Sequence, residues 1–283
     1  MFVDCGSHKL DLSAPVVMGV LNVTPDSFSD GGAYFDLQHA LARAHAMVAQ
    51  GARIIDIGGE STRPGAAAVS AHEELRRVIP VIEAVAAIPE VLVSIDTSKA
   101  EVITAATAAG AVIINDVHAL TAPGALAAAA NTSAAICLMH MQGQPATMQS
   151  APYYDDVVAR VRDYLQARVS ACEQAGIARE RLLLDPGIGF GKSLQHNLSL
   201  LARLAELAVL QCPLLIGVSR KSMIGQLLDR SVEQRVSGSV ALATAAVLAG
   251  AKIIRAHDIA ATVDAVRVAI ALRDAGFATA TNK

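Results

Sequence analysis

The chain has 283 residues, long enough for one large barrel or two modest domains. Hydrophobic residues make up 53% of it but aromatics only 3%, a balance of Ala, Val, Ile and Leu that suits buried parallel strands and packed helices. A net charge of −3 gives no global electrostatic support for a nucleic-acid partner, so any anionic ligand must be held by a local cluster.

In chain order, the opening residues FVDCGSHKLDLS predict a short hairpin capping one end of the fold, and MFVDCGSHKLDLS lacks the apolar core of a signal peptide. Eight short apolar runs follow, each closing on something polar: VVMGVLN (16–22), ARIIDIGGE (52–60), VLVSID (91–96), AVIIND (111–116), AAICLMH (134–140), RLLLD (181–185), PLLIGVSR (213–220) and AKIIRAH (251–257). Helix-like stretches lie between them, such as LQHALARAHAMVAQ, SAHEELRRVIPVIEAVA and QRVSGSVALATAAVLA. Strands alternating with helices predict βαβ units and a parallel sheet. Eight such units fit a (β/α)8 barrel of about 250 residues better than an open doubly wound sheet. No linker or charge block divides residues 1–283, so one barrel domain is expected. The most apolar stretch, 119–141, is broken by Pro123, Gly124, Asn131 and Ser133, and no membrane span is expected.

Cys5, Cys137, Cys172 and Cys212 form no CxxC pair and no zinc spacing, as in a reduced, cytoplasmic protein. The histidines include no H-x-x-x-H pair, which argues against a histidine metal site.

In a barrel of this kind the active site lies at the C-terminal ends of the strands. Those ends here carry Asn22, Glu60, Asp96, Asn115, Asp116, His140, Asp185, Ser219, Arg220, Arg255 and His257. One or two would be ordinary helix caps, whereas polar residues at every strand end predict a site. The rim divides into acceptors (Asp96, Asn115, Asp185) and groups that are or can become cationic (Arg63, Lys221, Arg255, His257). It would suit a ligand with a donor-rich end and an anionic end. A carboxylate such as Asp185 can take two parallel hydrogen bonds from an amidine-like ring edge, and Asn115 can read a mixed edge. Each also has a structural alternative: Asp185 as an N-cap, Asn115 as a turn former, Asp96 as the cap of a helix near Ser98.

The stretch DPGIGFGKS (185–193) looks at first like a phosphate loop. A P-loop would need glycine where Pro186 stands, and a dinucleotide fingerprint would need glycine where Lys192 stands. GGESTRPGA (58–66) reads as a mobile active-site loop or a plain turn. SRKSMIG (219–225) and IIRAHD (253–258) offer hydroxyls and cations where barrels often hold phosphate, and Arg255 and His257, two apart, would share a strand face.

Taken together, NVTPDSFSDGG, GGESTRPGA, SIDTS, IINDV, DPGIGFGKS, GVSRKSMIG and RAHD resemble the dihydropteroate synthases, over roughly residues 14–275. The resemblance implies displacement of diphosphate from (7,8-dihydropterin-6-yl)methyl diphosphate by 4-aminobenzoate. It implies that Asp96, Asn115, Asp185 and Lys221 hold the pterin, with Met139, Leu215, Gly217 and Phe190 lining the ring slot. It places Asn22, Thr62, Arg63, Arg255 and His257 around the diphosphate, with Mg2+ near Asn22. Phe28, Thr62, Arg63, Pro64, Phe190, Lys221 and Ser222 would shape the aminobenzoate pocket. Asp96, Asp185, Lys221, Arg255 and His257 would carry the catalysis. A homodimer and sulfonamide inhibitors are implied as well. Two alternatives stay open: a methyltransferase module that hands a methyl group from a bound folate to a corrinoid partner, and a pterin-binding protein without turnover.

Overall fold

A computed structural model describes residues 1–23, 32–61, 69–143, 148 and 152–277. The chain opens with the expected antiparallel hairpin, β1 (Phe2–Cys5) and β2 (His8–Asp11). Strands and helices then alternate: β3 (Val16–Asn22), α1 (Gly32–Ala49), β4 (Ile54–Gly58), α2 (Ala71–Ala86), β5 (Leu92–Asp96), α3 (Ala100–Ala108), β6 (Ile113–Asp116), α4 (Ala125–Ala130), β7 (Ala135–Met139), α5 (Val157–Gln174), β8 (Leu182–Asp185), α6 (Leu194–Ala202), β9 (Leu215–Gly217), α7 (Ser222–Leu228), α8 (Val236–Leu248), β10 (Ile253–Ala256) and α9 (Ile259–Asp274). Each predicted apolar run contains one strand of the barrel.

The eight parallel strands are ordered β8-β7-β6-β5-β4-β3-β10-β9. A parallel bridge between Leu184 and Leu214 joins the two ends of that order, closing the sheet into a barrel. The fold is therefore the (β/α)8 class that the alternation predicts.

Side chains on a strand alternate between its two faces, so each barrel strand sends one set outward to the helices and one inward. The outward set, including Val17, Ile55, Ile57, Val93, Ile95, Ile114, Ile136, Leu182, Leu184, Ile216 and Ile254, merges with the helix faces into the main core. Helix α2 shows how a helix meets it. Ser70 caps it by accepting the Glu73 N–H, and Val78, Val81, Ile82 and Val85 form its buried stripe.

The inward set is layered. At the N-terminal end of the barrel Met18, Ile54, Ile113, Cys137, Leu183, Leu215 and Ile253 form a second apolar cluster with Val3, Cys5, Leu10 and Leu12 of the hairpin. The hairpin thus plugs the barrel bottom. One or two steps further along the same strands the inward positions become Asn22, Asp56, Ser94, Asp96, Asn115, Asp185 and Arg255. The barrel is apolar below and charged above.

Candidate active site

The charged layer forms the floor of a cavity of about 910 Å3 at the C-terminal mouth of the barrel. Of the predicted residues, Asn22, Glu60, Asp96, Phe190, Gly217, Ser219, Arg220, Lys221, Ser222, Arg255 and His257 line it. Asn115, Asp185 and Met139 are buried on neighbouring strands, directly in register: Asp96 pairs with Asn115, and Met139 with Asp185. Leu215 lies one inward step below Gly217, fully buried in the hairpin-facing layer. Phe28, Thr62, Arg63 and Pro64 lie outside the described residues.

Arg255 organises the floor. Its Nε donates to Asp56 Oδ2 at 2.6 Å, and a terminal nitrogen donates to Asp96 Oδ2 at 2.8 Å. Asn115 Nδ2 donates to the same Asp56 oxygen at 3.0 Å. Asp56 is completely buried and ties three strands together, yet it escaped the sequence reading, which looked to the polar ends of the runs. Its signal was the period-two series Ile54–Asp56–Gly58, which puts a carboxylate inside a barrel where a branched apolar residue would be usual.

Asp96 does not cap a helix. α3 begins only at Ala100, and the Asp96 carboxylate faces Arg255 instead. Burial pushes its pKa up to about 7; Arg255 opposes the shift, and Asp56 and Asp116 add to it. A carboxyl whose folded pKa lies above its ordinary value adds stability that is fully present below about pH 4 and is lost as pH rises through 7. Asp96→Asn cannot titrate. The difference in melting temperature between Asp96→Asn and the parent should therefore move in favour of the variant from pH 4 to pH 7, as read by calorimetry on the ligand-free protein. A constant difference across that range would contradict the shift.

Asp185 accepts the Gly187 N–H at 2.7 Å, a local turn bond, while the next helix, α6, is capped by Ser193. Ser193 is thus a capping residue and no part of a phosphate cradle. Burial raises the Asp185 pKa, against the Gly187 N–H, Lys221 and Lys192. Lys221 is half-buried, its Nζ 4.1 Å from the centre of the Phe190 ring. Burial pulls its pKa down to about 8, and Asp185 resists. Burial also works against the charge of Arg255, but Asp56 and Asp96 more than offset it and hold it cationic.

Arg255 and His257 were expected on one strand face. β10 ends at Ala256, so His257 lies just beyond it, its backbone N–H donating to Ser219 Oγ at 3.1 Å. Its Nδ1 is 3.1 Å from the same hydroxyl. Arg220 is tied to Asp258. Other rim residues serve the scaffold. Asp116 accepts from Ser98, His118 N and Leu120 N, fixing the turn in which Ala119 and Leu120 both have positive φ. Glu60 pairs with Lys99, which also pairs with the buried Glu74, and Glu60 accepts the Val69 N–H at 3.0 Å.

For a divalent cation the floor provides oxygen donors. A methyl group on Gly58 would lie 3.6 Å from Asn22 Oδ1 and 3.9 Å from Asp96 Oδ2, so the two oxygens flank one point. Among the described residues no group of three or more His, Cys, Asp or Glu is arranged to hold a metal. That donor set fits Mg2+, which keeps several waters and takes its remaining ligands from a substrate's phosphates.

A closed parallel barrel whose mouth sets acceptors and cations side by side is the architecture of a barrel enzyme for a small substrate that carries both donors and negative charge. Residues 18–257 match the family model for pterin binding enzymes. The chain is 61% identical to the dihydropteroate synthase of Escherichia coli K12, with 92% of each chain covered. It superposes on the Yersinia pestis dihydropteroate synthase in complex with a sulfonamide drug with a TM-score of 0.92 at 56% identity, covering 97% of this chain and 100% of that one. On the Xanthomonas albilineans dihydropteroate synthase in complex with 7,8-dihydropteroate the TM-score is 0.88 at 50% identity, covering 96% and 99%. The chain belongs to the pterin-binding enzyme family, among the dihydropteroate synthases.

Proposed function

We propose that this protein joins (7,8-dihydropterin-6-yl)methyl diphosphate to 4-aminobenzoate, releasing diphosphate and 7,8-dihydropteroate. The observation that carries the reading is the floor itself, where Asp96, Asn115 and Asp185 stand as acceptors beside cationic Arg255 and Lys221. The pterin's N–H and NH2 edge would meet Asp185, with Asn115 reading the rest of the ring edge and Met139 and Gly217 bounding its faces. The diphosphate would lie toward Asn22 and His257, close to Arg255. Mg2+ bound with the diphosphate would supply positive charge to the leaving oxygens, with Asn22 as its protein oxygen.

In the reaction the C–O bond at the pterin methylene breaks, and diphosphate leaves with the electron pair. The neutral aromatic amine then forms the new C–N bond and loses a proton. The ring can delocalise positive charge as the bond opens, so the transition state is loose and cation-like. The carboxylate forms of Asp96 and Asp185 stabilise that charge, and Arg255 and His257 stabilise the departing anion. No strong base is required. Phe190, Lys221 and Ser222 receive the aminobenzoate, the last two offering donors to its carboxylate. Sulfonamide inhibition, homodimeric assembly and a cytoplasmic location belong to the same reading. Among the described residues, no helix is long and apolar enough to cross a membrane.

The test is to incubate the purified protein with the dihydropterin diphosphate and Mg2+, with and without 4-aminobenzoate, and to follow both diphosphate and dihydropteroate. Dihydropteroate should form, and some diphosphate should be released even without aminobenzoate. Tight pterin binding with no product would defeat the synthase reading. Bond cleavage strictly dependent on aminobenzoate would defeat the loose transition state alone.

A further inference from the structure

Lys192 takes no part in the chemistry above, yet it is one of the most buried charged side chains in the molecule, only 2% exposed. Its Nζ has three acceptors at 2.9 Å: Gly187 O, Phe190 O and His140 Nδ1; His140 O is 3.3 Å away. An ammonium group has three N–H donors, so the short contacts satisfy it completely, with His140 neutral and accepting through Nδ1. Burial brings the Lys192 pKa down to about 7, with Asp185 opposing and Lys221 assisting. Burial, then Lys192 itself, holds His140 down at about 3. Should Lys192 lose its proton, the amine can accept from a His140 Nδ1–H and still donate to both carbonyls. The clip is satisfied in either state.

What the clip holds is the turn 187–191. Gly187, Gly189 and Gly191 all have positive φ, and a Cβ on Gly187 would lie 1.9 Å from His140 O, one on Gly191 2.4 Å from Gln142 O. The turn is pressed flat against the chain leaving β7. Asn197 Oδ1 accepts the Gly189 N–H at 2.7 Å, and the Tyr154 hydroxyl donates to Gly191 O at 2.8 Å. Lys192 bonds the carbonyl of Phe190 itself, whose ring lies against Lys221 and lines the cavity.

We propose that Lys192 is a positioning residue: by clipping Gly187 O and Phe190 O to the end of β7 it fixes the Phe190 ring as the wall against which the second substrate packs. This rests on the reading that aminobenzoate binds beside Phe190. Lys192→Met keeps most of the side chain's bulk and removes the donors. It should raise the KM for 4-aminobenzoate about tenfold, a loss of about 1.4 kcal/mol, while kcat and the KM for the dihydropterin diphosphate stay within about threefold. Phe190→Ala should raise the same KM, and adding Lys192→Met to Phe190→Ala should add little, because the lysine acts through the ring. A fall in kcat with both KM values unchanged would mean only a smaller active fraction and would overturn the inference, as would full additivity with Phe190→Ala. If Lys192→Met does not fold, His140→Leu, which removes the imidazole acceptor and leaves the backbone carbonyls, must give the same KM pattern in smaller measure. A parent protein that makes no dihydropteroate would sink the functional reading. The positioning claim would then be decided by amide hydrogen exchange over residues 187–191, which Lys192→Met must accelerate.

Discussion

Asp185→Asn should keep the fold and lose the substrate. The asparagine retains an oxygen that can accept the Gly187 N–H, so the turn at 2.7 Å survives, and a buried carboxyl with a raised pKa is replaced by a neutral group. The melting temperature should therefore hold or rise slightly. Binding fares differently. A carboxylate offers two acceptor oxygens to a ring edge bearing N–H and NH2, whereas the amide turns one of them into a donor that meets another donor. Breaking one side of a buried, charge-assisted pair costs about 2–5 kcal/mol, so kcat/KM for the dihydropterin diphosphate should fall roughly 30- to 4,000-fold. Steady-state kinetics alongside thermal melting separates the two effects. A variant with near-normal kcat/KM would remove Asp185 from the pterin edge.

Arg255→Met should have the opposite profile and damage stability as much as activity. It strips the cation from Asp56, which is fully buried, and from Asp96, which is nearly so. Removing one partner of a buried ion pair typically costs about 3–5 kcal/mol, because the remaining charge is left uncompensated. Urea denaturation should show a loss of that order at neutral pH. Asp56→Asn in the same chain should recover part of it, since a fully buried carboxyl that has lost its partner is then replaced by an amide. Additive losses in the double variant would mean that Arg255 and Asp56 do not act as a pair. Activity should fall in Arg255→Met whether or not stability is restored, because the departing diphosphate still lacks its cation.

The two variants also show what could be read from the chain alone. The barrel strands were legible because buried parallel strands are continuous apolar runs, and in this chain each run ends in a polar residue. For the same reason Asp96, Asn115, Asp185 and Arg255 could be picked out one by one. Their partners could not. Asp56 lies in the middle of IIDIG, and only its alternation with Ile54 and Gly58 marks it as inward-facing. That Arg255 bridges it to Asp96 depends on β10, β3, β4 and β5 lying side by side, a contact across 199 residues of chain. Lys192 was misleading in a different way. A lysine after alternating glycines looks like a phosphate ligand, but here the positive-φ glycines bring carbonyl oxygens rather than N–H groups toward the lysine. Glu60 and Asp116 occupy rim positions as expected, yet Asp116 serves the neighbouring turn and Glu60 also fastens Lys99 and the Val69 amide.

The hairpin lies at the far end of the barrel from the charged floor, but it sets the electrostatic conditions under which the floor works. Val3, Cys5, Leu10 and Leu12 seal the barrel bottom, so water can screen the charged floor only from the mouth. Beneath Asp56 and Arg255 there is hydrocarbon of low polarisability, in which the field of each charge falls off slowly and is directed toward the opening. A substrate filling the mouth would displace the remaining solvent and leave the whole layer in a medium of low dielectric constant. The first residues of the chain thereby strengthen the field at a reaction centre they do not touch.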